Sequence, residues 1–292
     1  MSTPSMPDAV EPSAMLPPIT QCPGAPAVND AMFRSSSVGA ARSRLRFGDG
    51  PVSGAAVMIA GKIANFGVAF ISIAVVARLL TPADYGLVAM VTSATAFFAV
   101  FSDFGLSLVT VQRPRLSTAQ ISTLFWINVG FGILLGLLAG ALGPILVWFF
   151  SDARLLSVAL ALAIVFPVAA LGTQHEALLK RNMKFRRLAS IRLLSSVISA
   201  AAGIAAAFLG WGYWALVVQP LALAASATAM FWLAVRWLPD RPARCEGLRG
   251  MLGFGGALTA HGMIGYFANN LDNILIGRFW GDAILGLYAT RR

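Results

Sequence analysis

The chain has 292 residues, of which 58% are apolar and 12% charged, with a mean hydropathy of +0.75. So little polar surface excludes an ordinary water-soluble globule and points to a polytopic membrane protein. The net charge of +10 would suit a polynucleotide-binding protein, and two cysteines, Cys22 and Cys245, form neither a metal-ligand spacing nor a disulfide framework.

Taken in chain order, residues 1–50 are rich in Pro, Ser, Ala and Gly and lack helical periodicity. They read as a disordered cytoplasmic tail, with no cleavable signal sequence. A membrane helix needs about 20 apolar residues. Runs of that kind cover about 54–77, 87–111, 122–150, 155–179, 189–209 and 213–235. A more polar seventh covers about 251–277, and an eighth begins near 283. The expected division is a tail (1–50), a six-helix transmembrane lobe (51–235), a basic cytoplasmic loop (236–250) and the start of a second lobe (251–292), all of it helical. Within the spans, Gly132, Gly136 and Gly140 form a small-residue stripe suited to close helix packing. Pro167 and Pro220 are expected to bend their helices, and Trp211 and Trp214 to anchor an outer turn.

Charge orients the spans. With the tail in the cytoplasm, sixteen of the 22 Lys and Arg fall in the tail and in the segments 112–120, 180–192 and 236–250. Three, Arg78, Arg154 and Arg278, fall in outer turns. The bias follows the positive-inside rule, so most of the net charge is topology and no nucleic-acid partner is implied. The 180–192 cluster also suits anionic lipid head groups.

RLLTPADYGLVA at 78–89 and RFWGDAILGLYA at 278–289 share five residues in register at an offset of 200. Six helices separate the first span from the seventh, so the repeat is parallel, a plan common among secondary transporters. ARLLTPADYGLVAM at 77–90, FSDFGLSLVTVQRP at 101–114, STLFWINVGFG at 122–132, ALLKRNMKFRRLA at 177–189, FLGWGYWALVVQ at 208–219 and NNLDNILIGRFWGDAILGLYA at 269–289 occur in this order. Together they resemble the polysaccharide transporter family of bacterial lipid-linked oligosaccharide flippases, within the multidrug and oligosaccharidyl-lipid exporter superfamily. The resemblance implies a two-lobed fold of 12 to 14 helices in the inner membrane. It also implies translocation of polyprenyl-diphosphate-linked sugar for surface polysaccharide or lipopolysaccharide biosynthesis, alongside other polysaccharide assembly proteins. Against that pattern the chain reads as the first lobe plus the opening of the second.

Polar groups inside spans are the site candidates. Lys62 and Asn65 share a face of the first span. Lys62 is open to two readings, a cavity cation for a diphosphate or a side chain snorkelling to the cytoplasmic end. Asp103 either pairs with Lys62 or binds a proton or sodium ion, or orients the helix end before Gly105; Asn128 either lines the cavity or makes an interhelical hydrogen bond. Asn269, Asp272 and Asn273 share a face of the seventh span that either lines a cavity or is a wet helix end. His261 reads as structural, and His175 and Glu176 read as solvating the cytoplasmic end of the fourth span.

No cofactor is expected beyond a coupling proton or sodium ion. No close acidic pair, metal cluster, nucleophile–base arrangement or phosphate-cradling loop suggests an enzyme. The leading expectation is a flippase, or a fragment of one, working by alternating access. A drug or cation antiporter of the same superfamily is the nearest alternative, and a non-transporting remnant or assembly partner is another.

Overall fold

The computed structural model describes residues 51–99, 101–102, 105–113, 116–242, 250, 252–257, 259–260 and 263–264. Among these residues, eight helices follow one another as far as Val235, and helical residues recur from 250 onward: α1 (Pro51–Leu79), α2 (Pro82–Ala99), α3 (Leu106–Gln112), α4 (Thr118–Phe150), α5 (Arg154–Ala163), α6 (Val165–Arg181), α7 (Phe185–Phe208) and α8 (Trp214–Val235). Five helical stretches are long and apolar enough to cross a membrane: Ala56–Leu79, Thr118–Phe150, Arg154–Arg181, Phe185–Phe208 and Trp214–Val235. The protein is an all-α polytopic membrane protein.

Local chemistry sets the helix ends. Thr81-Pro82-Ala83-Asp84 opens α2 with reciprocal bonds, Thr81 N donating to Asp84 Oδ2 (3.0 Å) and Asp84 N to Thr81 Oγ1 (3.4 Å). Ser117 and Gln120 do the same for α4, at 3.1 and 3.2 Å. Gly210 and Gly212 turn the chain into α8 with φ of 76° and 55°, a region that costs glycine least.

Two expected spans are broken. The run at 87–111 divides into α2 and α3, because Gly105 adopts φ 63° ahead of a helix of only seven residues. The run at 155–179 divides at Ile164. Pro167 has no N–H to donate to the Ala163 carbonyl, so the helix loses a bond there. That carbonyl meets Gly136 instead: a Cβ at Gly136 would lie 2.9 Å from Ala163 O and 3.1 Å from Pro167 Cδ.

In lipid, helices gain little from apolar burial against one another, so close packing and polar contacts carry the association. The α4 seam shows this along its length. A Cβ at Gly132 would stand 2.5 Å from Ala170 Cβ, and one at Gly143 would stand 2.9 Å from Leu156 Cδ1. Gly140, expected in the stripe, has ordinary clearance of 3.5 Å. The contact moves from position 140 to 143 because 3.6 residues per turn drifts off a strict four-residue repeat. On the far side of the bundle, α1 packs chiefly on α7, where Gly61 comes against Ala189.

The connections alternate between two poles. The turns before α2, α5 and α8 share one end, where Leu87, Val88, Leu155, Val158 and Val217 form a buried cluster with Tyr213 and Trp214 on its edge. Arg113, Leu116, Ser117 and the segments 182–184 and 236–242 share the other end, tied by Arg181 to Arg113 and by Trp126 to Asp240. The helix α7 starts at Phe185 rather than near 189, which puts Arg186 and Arg187 on a helix rather than in a loop. Residues 252–257 and 259–260 are helical, as expected for the start of a seventh span. The tail, the second copy of the repeat and the rest of the proposed second lobe lie outside the described residues.

Candidate functional site

Lys62 and Asn65 stand on α1, three residues apart. Lys62 is exposed and Asn65 half-buried. Around Lys62 the same helix exposes Ile59, Ile63, Phe66 and Phe70, while its Gly61 side is against α7. The ammonium is thus presented on an outward apolar face, about 9 Å along the span from its start. The structure does not bring Asn128 to that face: it is buried on α4. Asp103, His261, Asn269, Asp272 and Asn273 lie outside the described residues.

The basic pole carries a polar assembly that the sequence did not announce. His175 and Glu176, expected to solvate a helix end, do neither. The His175 ring is fully buried, stacked on Trp232 with centroids 4.5 Å apart and flanked by Trp237 at 5.4 Å and Phe125 at 6.1 Å. Its Nε2 lies 3.1 Å from the Trp237 carbonyl, so that nitrogen carries the proton and donates. Glu176 accepts from Lys180 at 2.9 Å, one helical turn on, and from Arg192 of α7. One carboxylate therefore neutralises a cation on its own helix and one on the next.

Arg181 turns inward as well. Its Nη1 donates to the carbonyls of Thr110 (2.7 Å) and Arg113 (2.6 Å), which closes the C-terminus of α3 with a cation, as the helix dipole favours. Burial and the neighbouring Arg187 push the Lys184 ammonium below its usual range. The chain leaving α8 does not hang free either. Arg236 takes a left-handed turn, Trp237 buries its ring beside Phe125, and Asp240 is held from both sides. Asp240 N donates to Ser122 Oγ (3.1 Å), and Trp126 Nε1 donates to Asp240 O (2.9 Å). The first five residues of the basic loop are part of the bundle.

The opposite pole is sparse in charge. Asp84 is held below the usual carboxylate range by the Thr81 hydroxyl, which donates to it at 2.6 Å. Arg154 pairs in the open with Asp152 at 2.7 Å.

A family model described as "Polysaccharide biosynthesis protein" matches residues 75–291. The chain belongs to that family. It is 30% identical over 196 residues to the teichuronic acid biosynthesis protein TuaB of Bacillus subtilis, covering 66% of this chain and 41% of TuaB. It is 26% identical to the lipopolysaccharide biosynthesis protein WzxC of Escherichia coli, covering 81% of this chain and 49% of WzxC. It is 21% identical to the succinoglycan biosynthesis transport protein ExoT of Rhizobium meliloti, covering 80% and 47%. The chain thus spans under half the length of these curated relatives. No solved structure matches.

Proposed function

We propose that this chain serves in the translocation of a polyprenyl-diphosphate-linked oligosaccharide across the bacterial inner membrane, supplying surface polysaccharide assembly. The family match over 75–291 carries the reading, and relatives named for polysaccharide biosynthesis and transport support it. The mechanism we infer is alternating access between this lobe and a second one, coupled to a proton or sodium gradient. Within the lobe the α1 face is the candidate wall of the cavity. Lys62 offers an unburied ammonium on an apolar surface, where a diphosphate would be attracted through little intervening water. The basic pole would face the cytoplasm, where the lipid-linked sugar is loaded.

The test uses the gene in its host at full length. Deletion should leave lipid-linked oligosaccharide on the cytoplasmic leaflet and deplete surface polysaccharide, and the wild-type gene should restore it. Lys62→Ala, expressed to the same level, should restore about tenfold less translocation, and Lys62→Arg most of it. Normal surface polysaccharide in the deletion strain would reject the flippase reading. Full activity of Lys62→Ala would reject Lys62 alone.

A further inference from the structure

The seam of α4 with α5 and α6 is close-packed along the Gly132–Gly143 stretch and polar beyond it. Here α4 runs antiparallel to α5 and α6 in turn, with Gly143 on Ala159 and Gly136 on Ala163 of α5, and Gly136 on Pro167 and Gly132 on Ala170 of α6. One turn further in that register brings Asn128, four residues before Gly132, level with Gln174, four residues after Ala170. The next step along the seam is Phe125 against His175. Asn128 shares its helix face with Gly132 and Gly136, and Gln174 shares its face with Pro167 and Ala170, so helical spacing sets both amides on this seam. Asn128 is 2% exposed and Gln174 fully buried. Thr110 of α3 engages one Gln174 amide atom, its Oγ1 3.0 Å from Oε1. Gln174 Nε2 and both amide atoms of Asn128 have no partner in the protein.

Three buried polar atoms without protein partners on one seam of a membrane bundle are costly, since no lipid group can satisfy them. They are also complementary to one small ligand. Nε2 needs an acceptor, Oδ1 a donor and Nδ2 another acceptor, and a water molecule offers two of each. We propose that Asn128, Gln174 and Thr110 frame an internal water site. A water there accepts from Gln174 Nε2 and donates to Asn128 Oδ1, joining α4 to the α3–α6 pair. The Gly132–Gly143 half of the seam is dry, and this end is bridged through water.

Radiolytic hydroxyl-radical footprinting of the purified chain in nanodiscs tests this, because labelling reaches buried side chains only where water stands beside them. Leu178, one turn from the site, and Leu155, in the cluster at the opposite pole, are equally buried. Leu178 should be oxidised several-fold faster than Leu155. Asn128→Leu should bring Leu178 to the Leu155 rate and lower Tm by ~2–4 °C. Equal labelling in the wild type overturns the proposal. A Tm loss without wild-type labelling would instead mean a direct amide–amide bond, and a Tm gain would mean amides that no ligand satisfies; either outcome overturns it.

Discussion

Glu176 shows how a single side chain can outweigh its place in a hydropathy plot. Its carboxylate is about one-fifth exposed and holds two cations that are themselves one-third to one-half exposed. Such a pair falls between an open surface bridge at about 0–1 kcal/mol and a buried one whose rupture costs ~3–5 kcal/mol. Glu176→Gln should therefore destabilise the bundle by about 2 kcal/mol, measured as chemical or thermal stability in detergent, with the deficit shrinking as salt rises. Asp152→Asn, which removes the open pair at the other pole, should change nothing measurable. Read from the sequence, Glu176 only solvates a helix end, although its four-residue spacing to Lys180 is one helical turn. The Arg192 half of the triad and the His175 box have no such local spacing. His175 is completed by Trp232 and Trp237, some 60 residues further on, and nothing in a local pattern marks that return. Met183 offers a second residue-level test. It is 67% exposed, stands just past the end of α6 and has φ 54°. A left-handed conformation costs a side-chain-bearing residue about 1–2 kcal/mol. Met183→Gly should therefore raise stability by ~1 kcal/mol, even though glycine is usually the destabilising choice.

For whole elements, spacing was readable and backbone conformation was not. The apolar runs foretold α1, α4, α7 and α8 to within a few residues, because burial in lipid demands length and composition and little else. The breaks at Gly105 and Ile164 have a different origin. One is a positive φ and the other a proline's missing donor, and mean hydropathy is blind to both. Pro167 did signal its bend, as a proline within a span should. The glycine stripe was legible as a motif, yet its exact membership depends on the helical drift over the 33 residues of α4. That drift makes a prediction with opposite signs. Gly132→Ala must push Ala170 away and should cost about 1–3 kcal/mol. Gly140→Ala meets only ordinary contacts and should be neutral or gain up to ~1 kcal/mol from helix propensity. Parallel thermal-shift measurements on the two variants decide it. Equal losses would mean that the seam packs on a strict four-residue stripe.

The molecule as a whole is organised by its two poles. Among the described residues, the turns that carry Lys or Arg between α3 and α4, between α6 and α7 and after α8 meet at one end of the bundle, although the first and last are separated by more than 100 residues of chain. An odd number of crossings lies between each basic turn and each sparse one, so charge counting recovered the up-and-down order without any knowledge of packing. What it did not recover is how firmly the basic pole is closed, with Arg181 capping α3 and Trp237 sealing the exit from α8. On the proposed reading this pole is cytoplasmic, and the α1 face with Lys62 would then open nearer the side where the lipid-linked sugar of that reading is loaded. Thiol labelling gives the answer. In a Cys22→Ser, Cys245→Ser background, Met183→Cys and Trp211→Cys put single thiols on exposed positions at the two poles. A membrane-impermeant maleimide applied to intact spheroplasts should modify position 211 and spare position 183 until the membrane is permeabilised. The reverse pattern would turn the bundle over. Lys62 would then lie near the outer leaflet, and its proposed part would have to shift from loading the diphosphate to releasing it.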